Sequence, residues 1–231
     1  MANYRSERTK KLALAAVFAA LAFLTALIPA PKVQFLSFDI KDTVVVTASL
    51  ILGPATSVAL SVIVPLLEAV TVGTTGPWGF LMDVISTLSI SLTASLIYKF
   101  RRTLGGAVLS LVAAAATQTA MMMVANILIT PLYTGAPRQA VIALLLPLLL
   151  PFNAVKSVFN AALVMLLYKP TTEALRRARI LGSMSYTEKV SAPSYRIGGR
   201  SLLVFLLSLS VLVAAGLVLF LTLGAAWGGE A

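Results

Sequence analysis

Residues 144–167 read LLLPLLLPFNAVKSVFNAALVMLL, an apolar run long enough to cross a bilayer that nevertheless carries a lysine, Lys156. Asn153 precedes the lysine by three residues and Asn160 follows it by four, so a helix turns all three to roughly one side. A charge within a spanning helix is costly and as a rule faces a cavity or a partner, which makes Lys156 a functional-site candidate. The competing reading is a lysine near a helix end whose ammonium snorkels to the headgroups.

The rest of the chain supports a membrane setting for that run. Of 231 residues, 59% are hydrophobic and only 11% charged, more apolar surface than a soluble domain of this size hides. The mean hydropathy of +0.96 says the same. The net charge of +10 does not imply a nucleic-acid partner, because the basic residues collect in short segments between apolar runs. There is no cysteine and no histidine, which excludes thiolate nucleophiles, histidine bases and His/Cys metal sites.

Working outward, the first expected span is 12–28. Arg5, Arg8, Lys10 and Lys11 precede it, and Pro29-Ala30-Pro31 after it is a poor signal-cleavage site, so it reads as a retained helix. Ala15, Ala16, Ala19 and Ala20 form a small-xxx-small pattern in two registers, a docking surface or simply abundant alanine. The segment 29–42 mixes Phe35, Leu36 and Phe38 with Asp39, Lys41 and Asp42, and reads as a lid or an interfacial anchor. Runs 44–52 and 55–72 flank Gly53-Pro54, a turn signal, and the first is short for a full span. Pro65 is expected to kink the second, with Glu68 near its outer end. A loop at 71–79 leads to a fourth span, 80–98, with Asp83 near its start. The fifth, 104–132, has polar steps at Gln118 and Asn126 and methionines at 121–123. A loop at 131–137 and a broken or re-entrant lead-in at 139–150 precede the sixth span, 151–168, placing Lys156 about 8 Å inside it. A basic linker, 171–200, carries Arg176, Arg177 and Arg179 on an expected short surface helix, and 202–227 reads as a seventh span.

If the spans alternate, the N-terminal segment, 99–102 and 169–200 share the cytoplasmic side, and the C-terminus lies outside. The loops 29–42, 71–79 and 131–137 then face outward with Asn126, Asn153 and Lys156. The expected architecture is an all-α membrane protein: a six-helix domain at 1–170, the linker, and an additional helix at 201–228 in the cell membrane.

The chemistry left open is recognition. There is no Gly-x-x-x-x-Gly-Lys-Ser/Thr loop for ATP, no Gly-x-Ser-x-Gly elbow, and no evident pair of acids at catalytic spacing. Asp39 and Asp42 fall in one loop, where solvation is the simpler expectation. An asparagine amide both donates and accepts and a lysine only donates, a set suited to a heterocycle with alternating carbonyl and N–H groups. A membrane enzyme and a purely structural membrane protein are the competing classes. The first predicts turnover by the chain alone, the second indifference to loss of Asn153 and Lys156.

Several blocks then resemble one family. They are the Ala-rich first helix after Lys10-Lys11; Phe38-Asp39-Ile40-Lys41-Asp42; Leu52-Gly53-Pro54; Ala125-Asn126-Ile127-Leu128-Ile129-Thr130-Pro131-Leu132-Tyr133; and Leu150-Pro151-Phe152-Asn153-Ala154-Val155-Lys156. Together, over about 11–170, they resemble the substrate-binding S component of an energy-coupling-factor (ECF) vitamin transporter, of the riboflavin-binding type. The resemblance implies a six-helix subunit that captures riboflavin as cargo, with no cofactor and no metal. It implies a transmembrane coupling subunit and two ATPase subunits as partners. Asn126, Asn153 and Lys156 would hold the ring under a lid that brings Phe38 and Asp39. Ala16 and Ala20, with Ala15 and Ala19 adjacent, would meet the coupling subunit. The seventh span is extra to that pattern. The alternative within the family is an S component for another vitamin or precursor, such as an FMN-like flavin or thiamine.

Overall fold

In the computed structural model, described for residues 2–28, 32–33, 36–37, 39–73, 76–178, 180, 206–208, 210 and 214, the chain is a bundle of helices. In order they are α1 (Ala2–Ala26), a small antiparallel hairpin β1 (Lys32–Val33) and β2 (Leu36–Ser37), α2 (Lys41–Leu52), α3 (Pro54–Thr71), α4 (Gly76–Phe100), α5 (Leu104–Thr134), α6 (Arg138–Ala143), a π-helical turn (Leu145–Leu149) and α7 (Leu150–Arg177). Among the described residues, five stretches are long and apolar enough to cross a membrane: Glu7–Ala26, Pro54–Thr71, Gly76–Phe100, Leu104–Thr134 and Leu145–Arg177. Of the expected seventh span, 206–208, 210 and 214 are described and helical; the rest, with Phe38, Arg179 and 181–200, lies outside the described residues.

Helix α2 is the odd member. Its 12 residues give about 18 Å of helix, well short of a roughly 30 Å hydrocarbon core. All but Val44 are buried, and α1, α3, α4 and α7 pack around it. A helix covered on every side belongs at the centre of a bundle. On one flank Val45, Ala48, Ile51 and Leu52 meet Leu14, Phe18, Ala19 and Ala22 of α1 and Leu60 and Val64 of α3. On the other, Val46 and Leu50 meet Ile90 and Ala94 of α4, Leu111 and Ala114 of α5 and Val164 of α7. The large side chains that remain exposed, such as Val17, Leu21 and Leu24 on α1 or Val112, Val124 and Leu128 on α5, are suited to lipid.

Polar bonds fix which faces meet. The Ser91 hydroxyl of α4 bonds Ser57 at 2.7 Å and Ser61 at 2.9 Å on α3, all three fully buried. Two turns further along α4, Tyr98 meets Tyr168 of α7 edge to face, ring centroids 5.8 Å apart and hydroxyls 3.2 Å apart.

Several boundaries differ from the sequence reading, and proline is the common reason. Gly76 and Pro77 begin α4 instead of belonging to a loop, since proline suits a first helical turn. Pro131 lies inside α5, which runs on to Thr134 and is closed by Gly135 at φ 69°, so the expected loop at 131–137 shrinks to its last three residues. Pro170 lies inside α7, which runs on to Arg177, so the expected separate surface helix is its continuation. Threonine hydroxyls bond nearby carbonyls at both places, Thr134 to Thr130 O at 2.7 Å and Thr172 to Tyr168 O at 2.8 Å. The broken lead-in to the sixth span is present as α6 and the π-helical turn. It places Lys156 eleven residues into a continuous helical run, about 16 Å along the axis instead of 8 Å.

The α2–α3 turn is held by Gly53, at φ 98° and ψ 175°, a conformation essentially reserved for glycine. Gly53→Ala is therefore expected to lower stability by about 1–3 kcal/mol. Thermal unfolding in detergent checks this against Gly105→Ala, whose new methyl group would meet nothing within 4 Å and should leave the midpoint nearly unchanged.

Candidate functional site

The first turn of α2 and the residues just before it reach four other helices, α3, α4, α5 and α7. Asp39, ahead of the helix, accepts a 2.7 Å bond from the Lys156 ammonium of α7 through Oδ2. Lys41 donates to Glu68 of α3 and lies 3.2 Å from Asp83 of α4. Asp42 accepts from Thr87 of α4 at 2.7 Å and from the Gln118 amide of α5 at 2.8 Å. Thr43 donates to Asn160 Oδ1 of α7 at 2.6 Å.

These contacts overturn the expectation that Asp39 and Asp42 are solvated. Asp42 is fully buried in the first turn of a helix, where the peptide dipoles favour an anion. Three donors from two other helices face it: Thr87, Gln118 and, at 3.5 Å, Ser86. The Asp39 side chain is 11% exposed. Burial works to raise its carboxyl pKa, but the Lys156 and Lys41 ammoniums outweigh burial and hold it below the ordinary carboxylate range. Asp39 Oδ1 is buried and has no hydrogen-bond partner among the described residues.

The site residues expected from sequence fall into two groups. Asp39 and Lys156 are brought together directly. Asn126 and Asn153 are buried, and each turns one amide bond onto its own helix, to Met122 O at 2.7 Å and Leu149 O at 2.8 Å. Asn126 also accepts from Thr130 at 2.9 Å. These local bonds fix the orientation of the amides. The hairpin ahead of Asp39 is pinned by Leu36, which packs with Val141 of α6, Leu149 of the π-helical turn and Phe152 of α7. Leu36 and Asp39 thus seat their part of the chain on α6, the π-helical turn and α7.

The alanine set is divided. Ala16 and Ala20 are exposed on the outer face of α1, while Ala19 is buried and Ala15 half-buried against α2 and α3.

Reading the sequence alone put Asn160 on the same side of the helix as Lys156 but missed Lys41, Asp42 and Thr43 as members of the polar cluster. The available signal was isolated charge near apolar helix ends. Glu68 and Asp83 carry the same anomaly as Lys156, and their counter-ion Lys41 sits in a separate segment.

Comparison with known proteins agrees with this geometry. The family model described as ECF transporter, substrate-specific component, matches residues 10–168. The riboflavin transporter FmnP of Bacillus subtilis (strain 168) is 28% identical over 192 residues, covering 75% of this chain and 99% of that protein. A solved structure of the S component of a bacterial ECF transporter superposes with a TM-score of 0.63 at 22% identity, over 73% of this chain and 98% of that one. The last is a likeness of fold.

Removing Lys41 leaves two carboxylates side by side. Lys41→Met should destabilise the protein near the lower end of about 3–5 kcal/mol, because Asp83 keeps a third of its side chain in solvent. Lys41→Met with Glu68→Gln and Asp83→Asn should recover most of the loss in thermal unfolding. A triple variant no more stable than the single would count against the ion cluster as the cause.

Proposed function

The chain belongs to the substrate-specific (S) components of energy-coupling-factor transporters, and we propose that within this family it captures riboflavin from outside the cell. The observation that carries the reading is the pairing of Lys156 with Asp39. It sets a buried ammonium donor beside Asp39 Oδ1, a buried acceptor with no partner among the described residues. A donor next to an acceptor matches the N–H and carbonyl edge of a flavin's pyrimidine ring. A buried carboxylate oxygen without a donor is costly, so a ligand N–H there is strongly favoured. Asn126 and Asn153 add amides already turned by their own helices. The 28% identity to a riboflavin transporter along nearly its whole length supports the same ligand.

In this reading the segment 29–42 is the outward lid and the N-terminus is cytoplasmic, as the basic segments suggest. Uptake is driven by an ATP-hydrolysing ECF module, a transmembrane coupling subunit with two ATPase subunits. Ala16 and Ala20, exposed one turn apart on α1, form the face that lets a partner helix approach closely. The alternative is an S component for another heterocyclic vitamin, which would use the same donor–acceptor edge with a different ring.

Riboflavin added to the purified protein should quench its flavin fluorescence at micromolar concentration or below. Lys156→Met with Asp39→Asn, which removes the charge without stranding the acid, should weaken binding by about 2–3 kcal/mol. No quenching by riboflavin alongside binding of another vitamin would favour the alternative.

The docking face has a separate test. Ala16→Leu with Ala20→Leu should leave riboflavin affinity unchanged and abolish ATP-dependent uptake in cells supplying the module. Normal uptake by that variant would remove the docking assignment.

A further inference from the structure

We infer that Asn160 and Thr43 form a bracket that holds the 39–43 segment over Lys156, making them positioning residues that set how long a bound ligand stays. This rests on the reading of the site as a ligand pocket closed by the loop. Asn160 follows Lys156 by one turn on α7 and is fully buried. Its Nδ2 donates to two carbonyls, Asp39 O at 3.3 Å and Lys156 O at 3.1 Å. Its Oδ1 accepts from Thr43 at 2.6 Å. Two carbonyl oxygens at one end of an amide require its NH2 there, so the network admits one orientation of the side chain. Thr43, whose hydroxyl can donate, fills the opposite end.

Helix α7 therefore grips the same short segment twice. Lys156 holds the Asp39 carboxylate, and one turn further on Asn160 holds the Asp39 backbone and, through Thr43, the start of α2. A ligand that draws on Lys156 and on Asp39 Oδ1 competes with the first grip. It has no reason to disturb the second, which is made by a backbone carbonyl and a hydroxyl beneath the ion pair. With ligand bound, the position of Asp39 depends on the bracket. Neither Asn160 nor Thr43 needs to touch the ligand.

Thr43→Val keeps the shape and removes the hydroxyl; Thr43→Ser restores it. The riboflavin off-rate, read by stopped-flow fluorescence, should rise about 5- to 50-fold in Thr43→Val, with the on-rate within about twofold. Thr43→Ser should return the off-rate to within about twofold of the parent. A second readout needs no flavin: in the ligand-free protein, trypsin should cut after Lys32 of the hairpin faster in Thr43→Val than in the parent or Thr43→Ser. If Thr43→Val does not keep the parent's helix content, Thr43→Ala takes its place in both measurements. An unchanged off-rate, or a serine variant that fails to restore it, overturns the bracket. So do equal cleavage rates in all three proteins. A parent that binds no riboflavin refutes the ligand, and the cleavage rates then decide the bracket on their own.

Discussion

The burial of Lys41, Asp42 and Thr43 at the head of a 12-residue helix is the constraint on which the rest of the structure depends. A charged group in an apolar interior is tolerated only when paired and hydrogen-bonded. Here the partners come from α3, α4, α5 and α7, so satisfying one helical turn orders four other helices around it. Such ordering matters more in lipid than in water, because lipid tails are as apolar as leucine and the hydrophobic effect does not choose between helix faces. The hydroxyl bonds of Ser57, Ser61 and Ser91 do the same for the α3–α4 pair. Shape complementarity along Val45, Ala48 and Ile51 then fills the space these bonds define.

The same turn explains how a surface loop is tied to a buried lysine. Residues 39–43 contain the loop's last acid and the helix's first three residues, so the polar contacts that seat α2 also seat the loop. Lys156 has Asp39 as its near counter-ion, and the nearby Lys41 belongs to Glu68 and Asp83. Each lysine thus has an acid within ion-pair distance, and Asp39 also lies in the field of Lys41, so neither has to leave the interior for the headgroups. That removes the snorkelling alternative for Lys156: its ammonium bonds an acid that is itself mostly buried.

Much of this was legible in the sequence. The apolar runs located the long helices, Gly53-Pro54 marked the tight α2–α3 turn, and Lys156 stood out as a charge with a function to explain. Boundaries at proline were read too literally, because in a membrane bundle a proline near the end of a helix does not stop it, as Pro131 and Pro170 show. The polar cluster was less legible for a different reason. Asp39 and Lys156 are 117 residues apart, as are Thr43 and Asn160, and Asp42 and Gln118 are 76 apart. No local pattern records such a pairing. Locally, Asp39-Ile40-Lys41-Asp42 resembles a solvated loop, and only the fold shows that Lys41 and Asp42 open a helix in which both are buried.

The position of α2 also bears on how binding and coupling can coexist in so small a domain. Its polar first turn lies against the loop and α7, where ligand recognition is proposed, and its apolar remainder packs on α1. On α1, Ala19 and Ala22 face α2 and α3, and Ala16 and Ala20 face away. The proposed ligand site and the proposed docking face are therefore on different helices, with one buried, polar-anchored helix between them. Residues 41–43 belong to α2, which packs on α1 through Val45, Ala48, Ile51 and Leu52. Conversely, substitutions confined to the outer face of α1 touch none of the bonds that hold Asp39, Asn160 and Lys156.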